Sequence, residues 1–130
     1  MTAYLAYWAV VDQTGADPGN DWTAQVDGVA AGPVRDGLLE TAKETAARGQ
    51  RAVGTTTVEP MVTEVEAALV SIDACVDKSD TDFLDSSGTS IKAPNAAGTY
   101  FRHPATAQVG QFQDGRWLVA ATTDDWSKTC

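Results

Sequence analysis

The hydrophobic pattern of this 130-residue chain changes period once, at Gln50. Before it, apolar residues recur at three- and four-residue steps; after it, they alternate among valines and threonines. One face of a helix recurs about every 3.6 residues and one face of a strand every second residue, so the change separates a helical half from a sheet half. Helices followed by an antiparallel meander fold as α+β, with the helices on one face of the sheet. The length suits one hydrophobic core. The expected organisation is a single domain over residues 1–130: helices at about 2–48, sheet at about 51–123 and a tail at 124–130.

Within the helical half, Tyr4, Leu5, Trp8 and Val11 share one face of a helix from about Thr2 to Gln13. A second begins after an Asp21 N-cap, with Trp22, Val26, Val29 and Ala30 on its stripe. The third starts at Pro33, carries Val34, Leu38, Ala42 and Ala46 inward, and stops at Gly49. Gly37 lies inside it, either against a close neighbour or simply tolerated. In the sheet half, Arg51–Glu59 reads as a strand that Pro60 interrupts or ends. A turn near Glu66-Ala67-Ala68 leads to a strand over Leu69–Asp77. Lys78 to Asn95 is polar and loop-rich, with a short strand at Asp82–Asp85 or Thr89–Lys92. Two strands follow, Thr99–Gln113 with an irregularity at His103-Pro104, and Arg116–Thr123, joined at the turn Asp114-Gly115. On the last strand Trp117, Val119 and Ala121 form the apolar alternation.

Two cysteines occur, Cys75 in an expected strand and Cys130 at the last position. Reduced cytosolic proteins also carry two cysteines, so number alone does not imply a bridge. Placement does favour one, because a terminal thiol gains little from burial and is a liability when exposed. Joined, they close a loop worth roughly 4 kcal/mol through chain entropy. On the Leu69–Asp77 strand, Val70, Ile72, Ala74 and Val76 share one face and Ser71, Asp73, Cys75 and Asp77 the other. The bridge therefore ties the tail across the outer face, close to Trp126.

The formal net charge is -9, from 18 acidic and 9 basic residues. Such a field disfavours nucleic acid and anionic membrane surfaces as partners. No apolar run approaches the ~18 residues of a spanning helix. The opening Met1-Thr2-Ala3-Tyr4-Leu5 lacks the basic and apolar regions of a signal peptide, so the expectation is an exported chain whose signal or lipoprotein leader has been removed.

Several short motifs combine into a resemblance. They are Tyr4-Leu5-Ala6-Tyr7-Trp8, Val58-Glu59-Pro60-Met61-Val62, Ile72-Asp73-Ala74-Cys75-Val76-Asp77, the Asp114–Val119 hairpin and the terminal Cys130. Together they resemble the NTF2-like, or cystatin-like, α+β superfamily, and within it small secreted or lipoprotein domains of high-GC Gram-positive bacteria and their phages. The resemblance implies a curved sheet wrapped around helices as a cone with a cavity at its open end. It also implies that Cys75 partners Cys130. Related folds use the cavity for isomerases, dehydratases and cyclases, or keep it filled and serve as docking or dimerisation modules, so fold does not choose function.

Two functional readings stand side by side. The first is a non-catalytic extracytoplasmic module that engages a protein or small ligand at the cell envelope, without metal or cofactor. The second is a small-molecule isomerase or cyclase with Asp73, Tyr100 and His103 converging in the cavity. The superfamily's isomerase-like sites join a carboxylate base to an oxyanion hole of a tyrosine and a protonated acid. Strand parity turns Asp73 away from the helices, against that reading. His103, the only histidine, lacks the companions a metal site needs and reads as structural. The Asp77–Asp82 stretch lacks the glycine and terminal glutamate of a calcium loop and reads as solvated. Trp8, Trp22 and Trp117 lie on inward stripes and read as core, with ligand stacking as the alternative. Trp126 lies beyond the last strand, over the sheet or as a partner anchor. A homodimer through the outer sheet face is a further option, against which the polar row Ser71, Asp73 and Asp77 argues.

Overall fold

The computed structural model describes residues 2–92 and 100–130. Met1, the end of the expected loop at Asn95 and the expected strand start at Thr99 lie outside the described residues. Three helices come first: α1 (Thr2–Ala16), α2 (Thr23–Asp27) and α3 (Gly32–Ala47). Six strands follow: β1 (Arg51–Gly54), β2 (Thr57–Glu66), β3 (Leu69–Asp77), β4 (Thr81–Leu84), β5 (Arg102–Gln111) and β6 (Trp117–Asp124). Strands β2-β3-β5-β6 form an antiparallel sheet, and β1 pairs with β4 in a separate two-stranded one. No helix among the described residues is long and apolar enough to cross a membrane.

On α1 the buried positions are Tyr4, Tyr7, Trp8, Val10 and Thr14, the three- and four-step set of one helical face. Leu5, expected on that face, is exposed; Tyr7 takes its place. Asp21 caps from one position farther out than expected, its Oδ1 accepting from the backbone N–H and hydroxyl of Thr23, while Trp22 holds the N-cap position. At the other end of α3 the N–H groups of Gly49 and Gln50 donate to the carbonyls of Ala46 and Thr45. That pair is a Schellman cap, and Gly49 takes the required positive φ of 66°.

The expected strand Arg51–Glu59 breaks at Gly54, not at Pro60. Gly54 has φ 95°, and a Cβ there would sit 2.2 Å from the Asp80 carbonyl oxygen, so β1 can turn tightly past β4 only with glycine. Pro60 lies within β2, the sheet's edge, where its missing N–H costs no ladder bond. β5 also runs through His103-Pro104 without interruption against β3, pairing Pro104 with Cys75 and His103 with Val76. The irregularity lies farther on, between Gln108 and Val109. There Val109 faces Val119 and Gln108 faces Ala121, leaving Ala120 as an extra residue. The bulge inverts the alternation: Leu118 and Val119 are buried, Trp117 is half-buried and Ala121 is exposed.

The core lies between α1, α2 and the inner sheet face. Ile72, Ala74 and Val76 of β3 and Ala105, Ala107 and Val109 of β5 supply the sheet side. Burying a side chain such as Ile72 or Val76 stabilises by roughly 1.5–3 kcal/mol. Tyr4, Tyr7 and Trp8 pack above as an aromatic cluster, with Trp8 edge-on to both tyrosines. The segment after α2 closes the β6 edge: Ala31 N–H donates to Val119 O and Val119 N–H to Val29 O.

Candidate functional site

Helix α3 carries an apolar stripe, yet only Ala42 on it is buried. The rest of the stripe is half-buried, Val34 and Leu38 packing against the edge of the core. A cavity of about 320 Å³ lies beneath it, with Leu38, Ala42 and Thr45 as roof, Val11 and Gly15 of α1 on one side, and Val53 and Phe83 of the two-stranded sheet on another. Phe101 and Trp126 close its far end. A second, shallower hollow of about 600 Å³ runs between α1, α3 and β6, and Val11, Leu38, Thr41 and Lys78 border both.

Lys78 is the charged group at this junction. It stands immediately after β3, its N–H donating to the Phe101 carbonyl and its own carbonyl accepting from the Thr81 N–H and hydroxyl. The inward face of β3 continues through positions 70, 72, 74 and 76 to 78, so the side chain enters the interior. Its Nζ donates to Thr56 Oγ1 at 3.1 Å and lies 5.0 Å from the Trp8 ring centroid. Thr56 in turn donates its N–H and hydroxyl to Asp12, at 2.8 and 2.7 Å. Burial pushes the Lys78 amine below the ordinary lysine range, against the pull of the Asp12 and Asp124 carboxylates. Lys92, also on the wall, is occupied: it donates to the carbonyls of Lys78, Ser79 and Thr81 and sits over the Phe101 ring.

Burial also pushes the tyrosine hydroxyls up, Tyr7 to about 12 and Tyr4 in the same direction. The indole N–H of Trp8, which borders the second hollow, is buried without an acceptor among the described residues. A buried donor without a partner is uncommon.

Asp73, Tyr100 and His103 do not converge. None of them lines either space. Asp73 is exposed on the outer face, and Tyr100 is half-exposed. His103 is fully buried on the inner face; its Nδ1 lies 3.2 Å from the Phe101 carbonyl and its Nε2 3.3 Å from Asp124 Oδ1. Trp8 is buried against the sheet, while Trp22 and Trp117 are partly buried at the margins of the core. The Trp22 indole donates to the Asp17 carbonyl.

Cys75 and Cys130 form a disulfide with a Cα–Cα distance of 5.9 Å, on the outer face. Trp126 is not beside it. The indole stacks on His103 and walls the cavity, on the inner side. The tail thus seats Trp126 within, turns at Ser127-Lys128, and reaches Cys75 without. Arg102 steadies this outer passage, its Nε donating to the Cys130 carbonyl at 2.6 Å.

Sequence reasoning missed Lys78, which was legible, since alternation along β3 extends to it. A cavity was expected from the resemblance alone, but its place beneath α3 was not, because an apolar stripe does not reveal what it packs against.

No family model matches the sequence, and no curated protein matches it. Solved structures do. The intermembrane space region of the chloroplast protein ARC6 matches with a TM-score of 0.61 and 12% identity, over 96% of this chain and 92% of that one. A candidate aromatic ring hydroxylase from Novosphingobium aromaticivorans matches with a TM-score of 0.53 and 16% identity, over 98% and 92%. A Catenulispora acidiphila protein in complex with S-DNPA matches with a TM-score of 0.53 and 15% identity, over 95% and 87%. At such identities the likeness establishes fold alone. The chain has the NTF2-like α+β fold, with N-terminal helices packed on antiparallel sheet.

Proposed function

We propose that this chain is a non-catalytic, extracytoplasmic binding module whose cavity receives a small, largely apolar molecule. The cavity beneath α3 carries this reading: about 320 Å³, within the range of roughly 300–1,000 Å³ of small-molecule sites. None of Asp73, Tyr100 and His103 is among the residues that line it. Neighbours of this fold include a protein solved in complex with S-DNPA and a candidate hydroxylase, so the fold itself admits binding and catalysis. The Cys75–Cys130 bridge supports an oxidising compartment, in keeping with a secreted or lipid-anchored envelope domain of bacterial or phage origin.

Naphthylmethanol, a neutral bicyclic alcohol, tests the reading by fluorescence titration. Trp126 in the cavity wall serves as the reporter. Saturable one-to-one binding is expected, and Thr41→Trp, which places a large ring in the space, should abolish it. Non-saturating partition in the unmodified protein defeats the proposal.

A further inference from the structure

We infer that Lys78 is the anchor for an anionic head group, and that the ligand of this cavity is a small monocarboxylic acid with an apolar body. This rests on the cavity's being a ligand site and names what it takes. Three observations carry it. The ammonium stands where the two spaces meet, bordering both, so a molecule in either reaches it. An ammonium has three donors. Among the described residues, the Lys78 group gives one hydrogen bond, to Thr56, and faces the Trp8 ring with no carboxylate in direct contact. The Asp12 carboxylate, which acts on Lys78 through space, has both oxygens engaged by Thr56.

A partly desolvated cation with spare donors is completed best by a full negative charge, because charge-assisted hydrogen bonds are about twice as strong as neutral ones. One such cation matches a monoanion. A phosphate dianion would leave a charge uncompensated among apolar walls, inside a chain of net charge -9. Leu38, Ala42, Val53, Phe83 and Phe101 make most of the wall apolar, which suits an apolar ligand body, while Asp12, Thr41, Thr45, Asp82 and Lys92 add polar groups to its lining. Burial disfavours the charged form of Lys78, and an anion beside the ammonium would offset that cost.

Naphthoate and naphthylmethanol share a ring system and differ in the charge of the head group. The intact, oxidised protein should bind naphthoate about tenfold or more tighter than the alcohol. Lys78→Met should erase that difference while keeping alcohol binding, and Lys78→Arg should restore part of it. In the unmodified protein the Nζ resonance of Lys78 should shift on titration with naphthoate and not with the alcohol, a readout independent of how the variants fold. Equal affinities, or an unmoved Nζ resonance at saturation with naphthoate, overturn the assignment and leave the cavity a neutral apolar site. Failure of both compounds to bind overturns the ligand-site reading along with it.

Discussion

The imidazole of His103 and the indole of Trp126 lie face to face, ring centroids 3.9 Å apart with their planes 26° from parallel. One ring is fully buried in β5; the other belongs to the tail and forms the cavity wall. The stack joins the end of the chain to the inner sheet face, and Tyr100 N–H donating to Trp126 O at 2.8 Å fixes the backbone beside it. Trp126→Ala should destabilise by about 2–3 kcal/mol, less than full truncation of a buried aromatic because the ring is partly exposed. Trp126→Phe, which keeps a stacking face, should cost about 1 kcal/mol or less. Urea unfolding with the disulfide intact measures both; equal losses would mean that stacking contributes nothing beyond volume.

The disulfide joins residues 55 apart in sequence. Constraining the unfolded chain over such a loop is worth about 4 kcal/mol. The double variant Cys75→Ala, Cys130→Ala should lose stability of that order, with the unfolded state more expanded and a larger denaturant slope. A loss under about 1 kcal/mol would show that the native tail is held by Trp126 and Arg102 alone.

Two glycines should respond in opposite directions. Nothing lies within 4 Å of a Cβ built on Gly37, and its backbone is helical, so Gly37→Ala should stabilise α3 by about 0.5–1 kcal/mol. At Gly54 the Asp80 carbonyl oxygen occupies the space, and φ is positive. Gly54→Ala should therefore cost several times what Gly37→Ala gains, and should separate β1 from β4 near the cavity. Thermal melts of the two variants provide the comparison.

Five aspartates, Asp21, Asp77, Asp85, Asp114 and Asp125, accept hydrogen bonds from the residue two places on. Their carboxyls are held below the ordinary value of 3.8, by serine or threonine hydroxyls at Asp21, Asp77, Asp85 and Asp125 and by the Arg116 N–H at Asp114. A depressed folded-state pKa stabilises the fold above the unfolded value, and that contribution disappears as pH falls through the folded one. Stability should accordingly drop below about pH 4. Protonation also relieves the self-repulsion of net charge -9, which works the other way. Asp77→Asn keeps an acceptor oxygen but cannot titrate, so its acid loss should be smaller than that of the unmodified chain. Identical acid profiles would remove Asp77 from the account.

Local signals were legible. Gly49 marked the end of α3, Asp114-Gly115 the hairpin, and the alternation of Ile72, Ala74 and Val76 the inner face of β3. These depend on a few neighbouring residues, and so does the side of the sheet on which Cys75 lies. What failed depended on distant partners. Pro60 is harmless because β2 happens to be an edge, and Gly54 is the true break because Asp80 passes over it. Ala121 points outward because Ala120 is squeezed out of the ladder opposite Gln108 and Val109. Trp126 was assigned to the disulfide's side because the sequence does not reveal that the tail changes sides between residues 126 and 130.

That change of sides has a consequence. Between the end of β6 and the bridge lie only five residues, and one of them is a wall of the cavity. Sulfur chemistry on the solvent face is mechanically in series with the apolar space beneath α3. The Cys75–Cys130 bridge, with the Tyr100 N–H bond to the Trp126 carbonyl, thus limits how far this wall of the cavity can move from His103.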